Sequence, residues 1–430
     1  MSSIFSSLSI PNYRRYFTGS LSGNIGTWMS ITAKAWLVQM ELTNSSATTL
    51  GWLTTVMLLP QFLLQPLGGM LADRFPKRRI ALITQTLLCA SAAVLSVFVL
   101  TGHIQLWLVF VLAAWDGMVT AFDNPARQAF VAEIVPAKSL TNAIGLNSSS
   151  WNGARLFGPA VAGIVIAALG TGWAFAVNAA SFLVMIVMLL RMRNTIPRPR
   201  KSPSGSKDSG GLLDAWRSIR DRRHLSLLFF ICFMMGTFGL NYGITNLLMA
   251  TQTFQRGAGQ YGILGSIMGI GSLAGALFAA RLDRPRLRWV LAFLLAFVFA
   301  LTISALSPNF WFFAVSQVPI GLCAISVLVI GSAIVQTSVP DNLRGRITAL
   351  WGAATLGLAP GVSPLLGLIG DLLGARATVW VGAGAIALTF AAVAWYLFIK
   401  HRIRVHRVHR LHFQVEYPSP DADGVNRFER

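Results

Sequence analysis

The chain contains twelve apolar runs of about twenty residues, separated by turns too short to hold a domain. A run of that length is what a helix needs to cross a bilayer. Only 12% of its 430 residues are charged and 54% are hydrophobic, whereas soluble chains are roughly 25% charged. The runs fall at about 16–40, 49–71, 80–101, 105–124, 141–168, 172–191, 225–250, 259–281, 288–306, 310–336, 345–370 and 377–399. In hydrocarbon every backbone polar group must be satisfied within its own segment, so these runs predict an all-α polytopic membrane protein.

Charge then sets the orientation. The net charge is +20, from 35 Lys and Arg against 15 Asp and Glu. If the N-terminus is inside, all bases except Lys34 and Arg155 (within spans) and Arg256 and Arg376 (outside) fall in cytoplasmic segments. Such a distribution excludes a nucleic-acid partner and fits cytoplasmic loops facing anionic lipid. Both termini are expected in the cytoplasm of a cell whose inner membrane the chain spans. The N-terminus shows no cleavable signal. Cys89, Cys232 and Cys323 lie in apolar runs at no metal or disulfide spacing and are read as core residues.

Pro197, Pro199, Pro203, Gly205, Gly210 and Gly211 mark a flexible connection that splits the spans six and six. The expected organisation is a bundle over 1–194, a cytoplasmic linker over 195–224, a second bundle over 225–400 and a basic tail over 401–430. The end of the linker, Leu212 to Arg223, has the pattern of a surface amphipathic helix. The halves repeat. Asp73-Arg74, Pro136 and Gly158-Pro159 recur in order and at similar steps as Asp283-Arg284, Pro340 and Ser363-Pro364.

The turn after the second span reads Gly69, Asp73, Arg74, Lys77, Arg78, Arg79. It resembles the loop between the second and third helices of major facilitator superfamily transporters, with Pro76 where members often carry Gly. Segments Asn12–Phe17, Gly26–Met29, Trp36–Val38, Phe122–Phe130 and Ala154–Ala160 resemble one branch of that superfamily, the enterobactin-exporter-like proteins grouped with drug:proton antiporters. The resemblance covers nearly the whole chain. It implies twelve helices in two six-helix bundles (the major facilitator fold) and export of small molecules. Similar loops in that family are thought to latch the cytoplasmic side, with Asp73 resting near Asn342–Ile347 beside Arg344 or Arg346. The Gly at the start of the loop is expected to let two helices approach closely.

Gly153 to Gly163 on the fifth span, including Gly158 and Pro159, is similar to a helix motif of antiporters; ordinary small-residue packing is the competing reading. Gly265, Gly269, Gly271 and Gly275 lack the strand and spacing of a dinucleotide loop and read as packing. No phosphate-binding loop occurs, and neither a cofactor nor a metal is implied; the chain reads as a transporter rather than an enzyme. His406, His409 and His412 alternate with Arg in the tail, a pattern suited to anionic lipid rather than a metal.

Four ionisable groups are candidates for the cavity or for proton coupling: Lys34, Asp116, Asp123 and Arg155. Asp116 and Arg155 both fall near mid-membrane, where each costs about 2.5–3.5 kcal/mol if unpaired. They are expected to pair with each other in one state and separate in another, letting Asp116 load a proton. Asp123 and Arg127, four apart, are expected to pair on the helix surface. Asn24, Asn178, Asn241, Asn246, Gln317 and Gln336 either line a path or bridge helices. The function implied is proton-coupled export of amphipathic, siderophore- or drug-like molecules. A non-transporting sensor or scaffold and facilitated uptake of a nutrient are the alternatives.

Overall fold

A computed structural model describes residues 5–192, 218–220, 222–282, 285–339, 341–397, 404–409 and 412–416. Most of the expected linker, most of its amphipathic segment, the Asp283-Arg284 pair and most of the tail lie outside the described residues. In the tail, backbone strands Arg404–His409 and His412–Glu416 pair antiparallel.

The helices follow the apolar runs. The first six are Pro11–Trp36, Ala47–Arg74, Lys77–Leu100, Leu106–Ile134, Leu140–Leu169 and Thr171–Leu190. The seventh, Arg223–Thr253, is interrupted at Leu240 and Asn241. The eighth to tenth are Ala258–Ala280, Leu287–Ala305 and Phe310–Thr337. The eleventh is two segments, Asp341–Leu356 and Ala359–Leu373, and the twelfth is Ala375–Trp395. Among the described residues, eleven of these are long and apolar enough to cross a membrane. The first is as long but richer in Ser, Thr and Asn, because it faces other helices rather than lipid; Ser20, Asn24, Ser30 and Thr32 on it are buried.

Local chemistry explains the ends. Ser46 caps the second helix by accepting from the Thr49 amide, and Asn309 caps the tenth from Phe312. Gly170 and Gly374 form one-residue turns at φ +92° and +85°, which favour glycine, between helices five and six and between eleven and twelve. They sit at matching places in the two halves, as the internal repeat requires. The fourth helix runs ten residues past its expected end, through Pro125 to Ile134.

Helices pack through small residues, as hydrocarbon offers no hydrophobic drive between them. Gly117 lies against the Met57 carbonyl, and Gly271 and Gly275 against carbonyls of the tenth helix. Cys232 and Cys323 are buried and Cys89 is half-buried, in keeping with core positions.

Two seams join the halves. Gly51 and Gly367 bring the second and eleventh helices together, and Gly163, Gly262, Gly265 and Gly269 do so for the fifth and eighth. Both seams occupy the end of the molecule with the short turns. Gly145, Ser148, Ser149 and Asn152 share the helix face that carries Leu156, Pro159 and Gly163, yet they are exposed. The same face is thus zipped at one end and open at the other. The halves splay apart toward the end bearing Asp73 to Arg79.

Candidate functional site

The ionisable groups singled out within the spans all lie on the first, fourth and fifth helices. Lys34 Nζ donates to Asp116 Oδ2, joining the first and fourth helices. The lysine side chain is 3% exposed and the carboxylate 20%, so the pair is largely buried, with the carboxylate partly accessible. Asp116 Oδ1 is buried and has no partner among the described residues. The first helix packs on the fifth and sixth and touches the fourth at few positions, so this ion pair spans a loose junction.

Asp116 therefore pairs with Lys34, not with Arg155 as expected. Lys34 near the end of the first helix can reach a carboxylate ten residues into the antiparallel fourth, whereas Arg155 is turned toward the first. Its guanidinium sits 5.6 Å from the centroid of the Trp28 ring, and Trp151 lies 5.7 Å beyond Trp28. Arg155 forms no hydrogen bond or ion pair among the described residues, and its Nε is buried.

Asp123 and Arg127 do pair, at 3.4 Å, but inside the bundle rather than on a helix surface. Asp123 also accepts from Thr84 Oγ1 at 2.6 Å and Gln85 Nε2 at 3.0 Å. Arg127 donates to Ser20 Oγ at 2.6 Å and Asn24 Oδ1 at 3.0 Å. The network ties the first, third and fourth helices and satisfies both charges. Its geometry is that of a clamp.

The loop after the second helix divides its tasks. Lys77 pairs with Glu133 at 3.0 Å, and Arg78 donates from Nε to the Leu189 carbonyl and from Nη2 to Leu190, where the sixth helix ends. A cation at a helix C-terminus is favourable. Asp73 and Arg74 are exposed, and Asp73 has no hydrogen bond or ion pair among the described residues. Its expected neighbour Arg344 has its side chain outside them. The close approach falls on Gly68, where a Cβ would stand 2.1 Å from the Ala121 carbonyl; Gly69 has nothing within 4 Å. The glycines are adjacent, and the register alone decides which faces the fourth helix.

The fifth-helix motif bridges both halves. A Cβ on Gly158 would stand 2.5 Å from Trp28 Cβ, and one on Gly163 would stand 2.6 Å from the Ala258 carbonyl. Ser266 Oγ donates to the Leu156 carbonyl at 2.5 Å.

Three features escaped the sequence reading. The first is Asp371, at the end of the eleventh helix, which accepts from the Ala47 and Thr48 amides at 2.7 and 2.9 Å and from Thr48 Oγ1 at 2.6 Å. An acid from one half thus caps the second helix of the other. The available signal was an acid one turn beyond Gly367, next to Gly370. The second is the pair of broken helices. Gly357, at φ +58°, lies against Thr237, whose Oγ1 accepts from the Leu358 amide at 3.0 Å. A cavity of about 200 Å³ opens there, lined by Thr54, Leu58, Asn241, Ile244 and Thr355 among others. The cue was Gly357 three residues before Pro360. The third is Tyr242, at the seventh-helix break, whose buried hydroxyl has no partner.

Comparison with known proteins agrees with this architecture. A family model described as "Transmembrane secretion effector" matches residues 2–423. The enterobactin exporter of Salmonella paratyphi A is 25% identical over 373 residues, covering 84% of this chain and 83% of that one. A staphyloferrin A transporter of Staphylococcus aureus is 21% identical over 393 residues, covering 91% and 96%. Among solved structures, a bacterial homologue of the lysosomal transporter Spinster superposes with TM-score 0.64 at 16% identity over 90% of this chain and 95% of its own. A POT family transporter in complex with a thioalcohol-conjugated peptide gives 0.72 at 12% identity, covering 89% and 95%. A match over nearly its whole length places the chain in the transmembrane secretion effector family of major facilitator superfamily transporters.

Proposed function

We propose that this transporter exports amphipathic small molecules across the cytoplasmic membrane in exchange for protons. The observation that carries the reading is the Lys34–Asp116 pair, held across a loose junction beside the gap with one carboxylate oxygen unpartnered. Protonating Asp116 removes the charge opposite a buried lysine. An unpaired buried charge is strongly unfavourable, so the first and fourth helices must rearrange when the proton arrives. Such a response links proton entry to the position of the helices around the gap.

Direction and orientation follow from other features. Described bases such as Arg74 to Arg79 and Arg191 lie at the open end of the molecule, which supports a cytoplasmic face there and anionic lipid beside it. Residues 1–194 and 225–400 then act as opposed bundles joined by a cytoplasmic linker. Likeness to the enterobactin exporter supports outward transport of siderophore-like cargo.

Inside-out vesicles with an acidified lumen test this reading, with enterobactin and 1-naphthoate as probes. We expect gradient-dependent uptake into the lumen with matching proton release, and uptake in Asp116→Asn that no longer responds to the gradient. No uptake of either probe would speak for a sensor or scaffold. Uptake indifferent to the gradient would speak for facilitated diffusion, and a normal response in Asp116→Asn would move coupling away from the pair.

A further inference from the structure

Among the described residues, several of the buried polar atoms without partners can donate a hydrogen bond, besides acceptors such as Asp116 Oδ1 and the Oε1 atoms of Gln39, Gln85 and Gln317. Arg155 Nε, Trp28 Nε1 and the Tyr242 hydroxyl are all buried and all unpartnered. They come from the fifth, first and seventh helices, so both halves contribute. Arg155 stacks on the Trp28 indole, with Trp151 behind it, and Tyr242 lies within electrostatic reach of the guanidinium. Asp116, the acid expected to neutralise Arg155, is engaged by Lys34 instead.

A half-buried guanidinium whose Nε is buried without an acceptor is incomplete, because buried polar groups are ordinarily hydrogen-bonded. Donors collected at one place without an acceptor describe the complement of an oxyanion. The guanidinium fork suits a planar, delocalised one. The two indoles, tilted at 59° to each other, add aromatic surface beside it, which suits an aromatic body attached to that anion. The group must also be able to leave, and Tyr242 belongs to the half opposite Arg155. Relative movement of the halves would pull the hydroxyl away from the guanidinium and weaken the grip.

We infer that Arg155, Trp28 and Tyr242 form a binding site for the carboxylate or phenolate oxygens of an aromatic cargo, shared by the two halves. The site deepens the export reading and rests on it for the word cargo, but binding can be measured without flux. The test is equilibrium dialysis of radiolabelled 1-naphthoate and its neutral isostere 1-naphthamide against the full chain in lipid nanodiscs.

The acid should bind at least tenfold more tightly than the amide. Arg155→Gln should abolish that preference by weakening the acid alone, and Arg155→Lys should restore part of it. Tyr242→Phe, which keeps the ring, and Trp28→Phe, which removes the indole N–H with part of the ring, should each weaken the acid several-fold, and they remain informative if Arg155→Gln does not fold. Equal binding of acid and amide, no binding of the acid at millimolar concentration, or a preference that survives all three losses would overturn the site. A chain that passes this test yet moves nothing in vesicles would retain the site and lose only the export reading.

Discussion

Removing the Asp371 carboxylate should unlatch the closed end. In the structure this one side chain receives the first two amides of the second helix and the Thr48 hydroxyl. Capping of this kind contributes about 1 kcal/mol, and an anion at a helix N-terminus about 0.5 kcal/mol more at a partly exposed site. Asp371→Ala should therefore shift the equilibrium between closed and open states of that end by about 1.5 kcal/mol, or roughly tenfold in population. Spin labels at His103 and Pro308, exposed turns of opposite halves, would report it as a distance distribution in nanodiscs. The three native cysteines would first be replaced. A longer-distance component should grow in Asp371→Ala and shrink again in Asp371→Glu. An unchanged distribution in a well-folded Asp371→Ala protein would show that the glycine seams alone hold the end shut.

Three further outcomes follow from the packing. Arg127→Gln strands the buried Asp123 charge and should lower stability by about 3–5 kcal/mol, read as a large fall in melting temperature. Gly163→Leu drives a side chain into the Ala258 carbonyl and Gly262, so crosslinks between the fifth and eighth helices near these positions should fall away while those within each half persist. Cysteines at His103 or Pro308 should react with an impermeant reagent from outside intact cells, and one at Ser206 should not; the reverse pattern would invert the topology.

The helices were legible because twelve apolar runs and short turns leave little else to build, and run ends matched helix ends to within a few residues almost everywhere. The fourth helix was cut short because Pro125 and the charges after it look like a boundary; in the structure Asp123 and Arg127 satisfy each other inside the bundle and the helix continues. Pairing was less legible. Depth along a helix placed Asp116 and Arg155 at one level, but the rotation of each helix, which depth does not encode, turned Asp116 toward Lys34 and Arg155 toward Trp28. The same blindness to rotation put the close approach on Gly69 instead of Gly68. Asp371 was invisible because its partners are backbone amides in the other half, which no side-chain pattern announces.

The interruption of the eleventh helix bears on what kind of machine this is. Its outer segment is fastened across the molecule: Asp371 holds the second helix, Thr55 Oγ1 donates to the Pro360 carbonyl, and Gly367 lies on Ala47. Its inner segment stays with its own half, where Trp351 packs edge-on against Phe229 at 5.4 Å. The two segments therefore owe allegiance to different partners and meet at Gly357. A joint in that position lets the outer segment travel with the opposite half while the inner one stays put. Switching between faces can then proceed as a relay, one half-helix at a time, and need not wait for two rigid blocks to let go of each other at once.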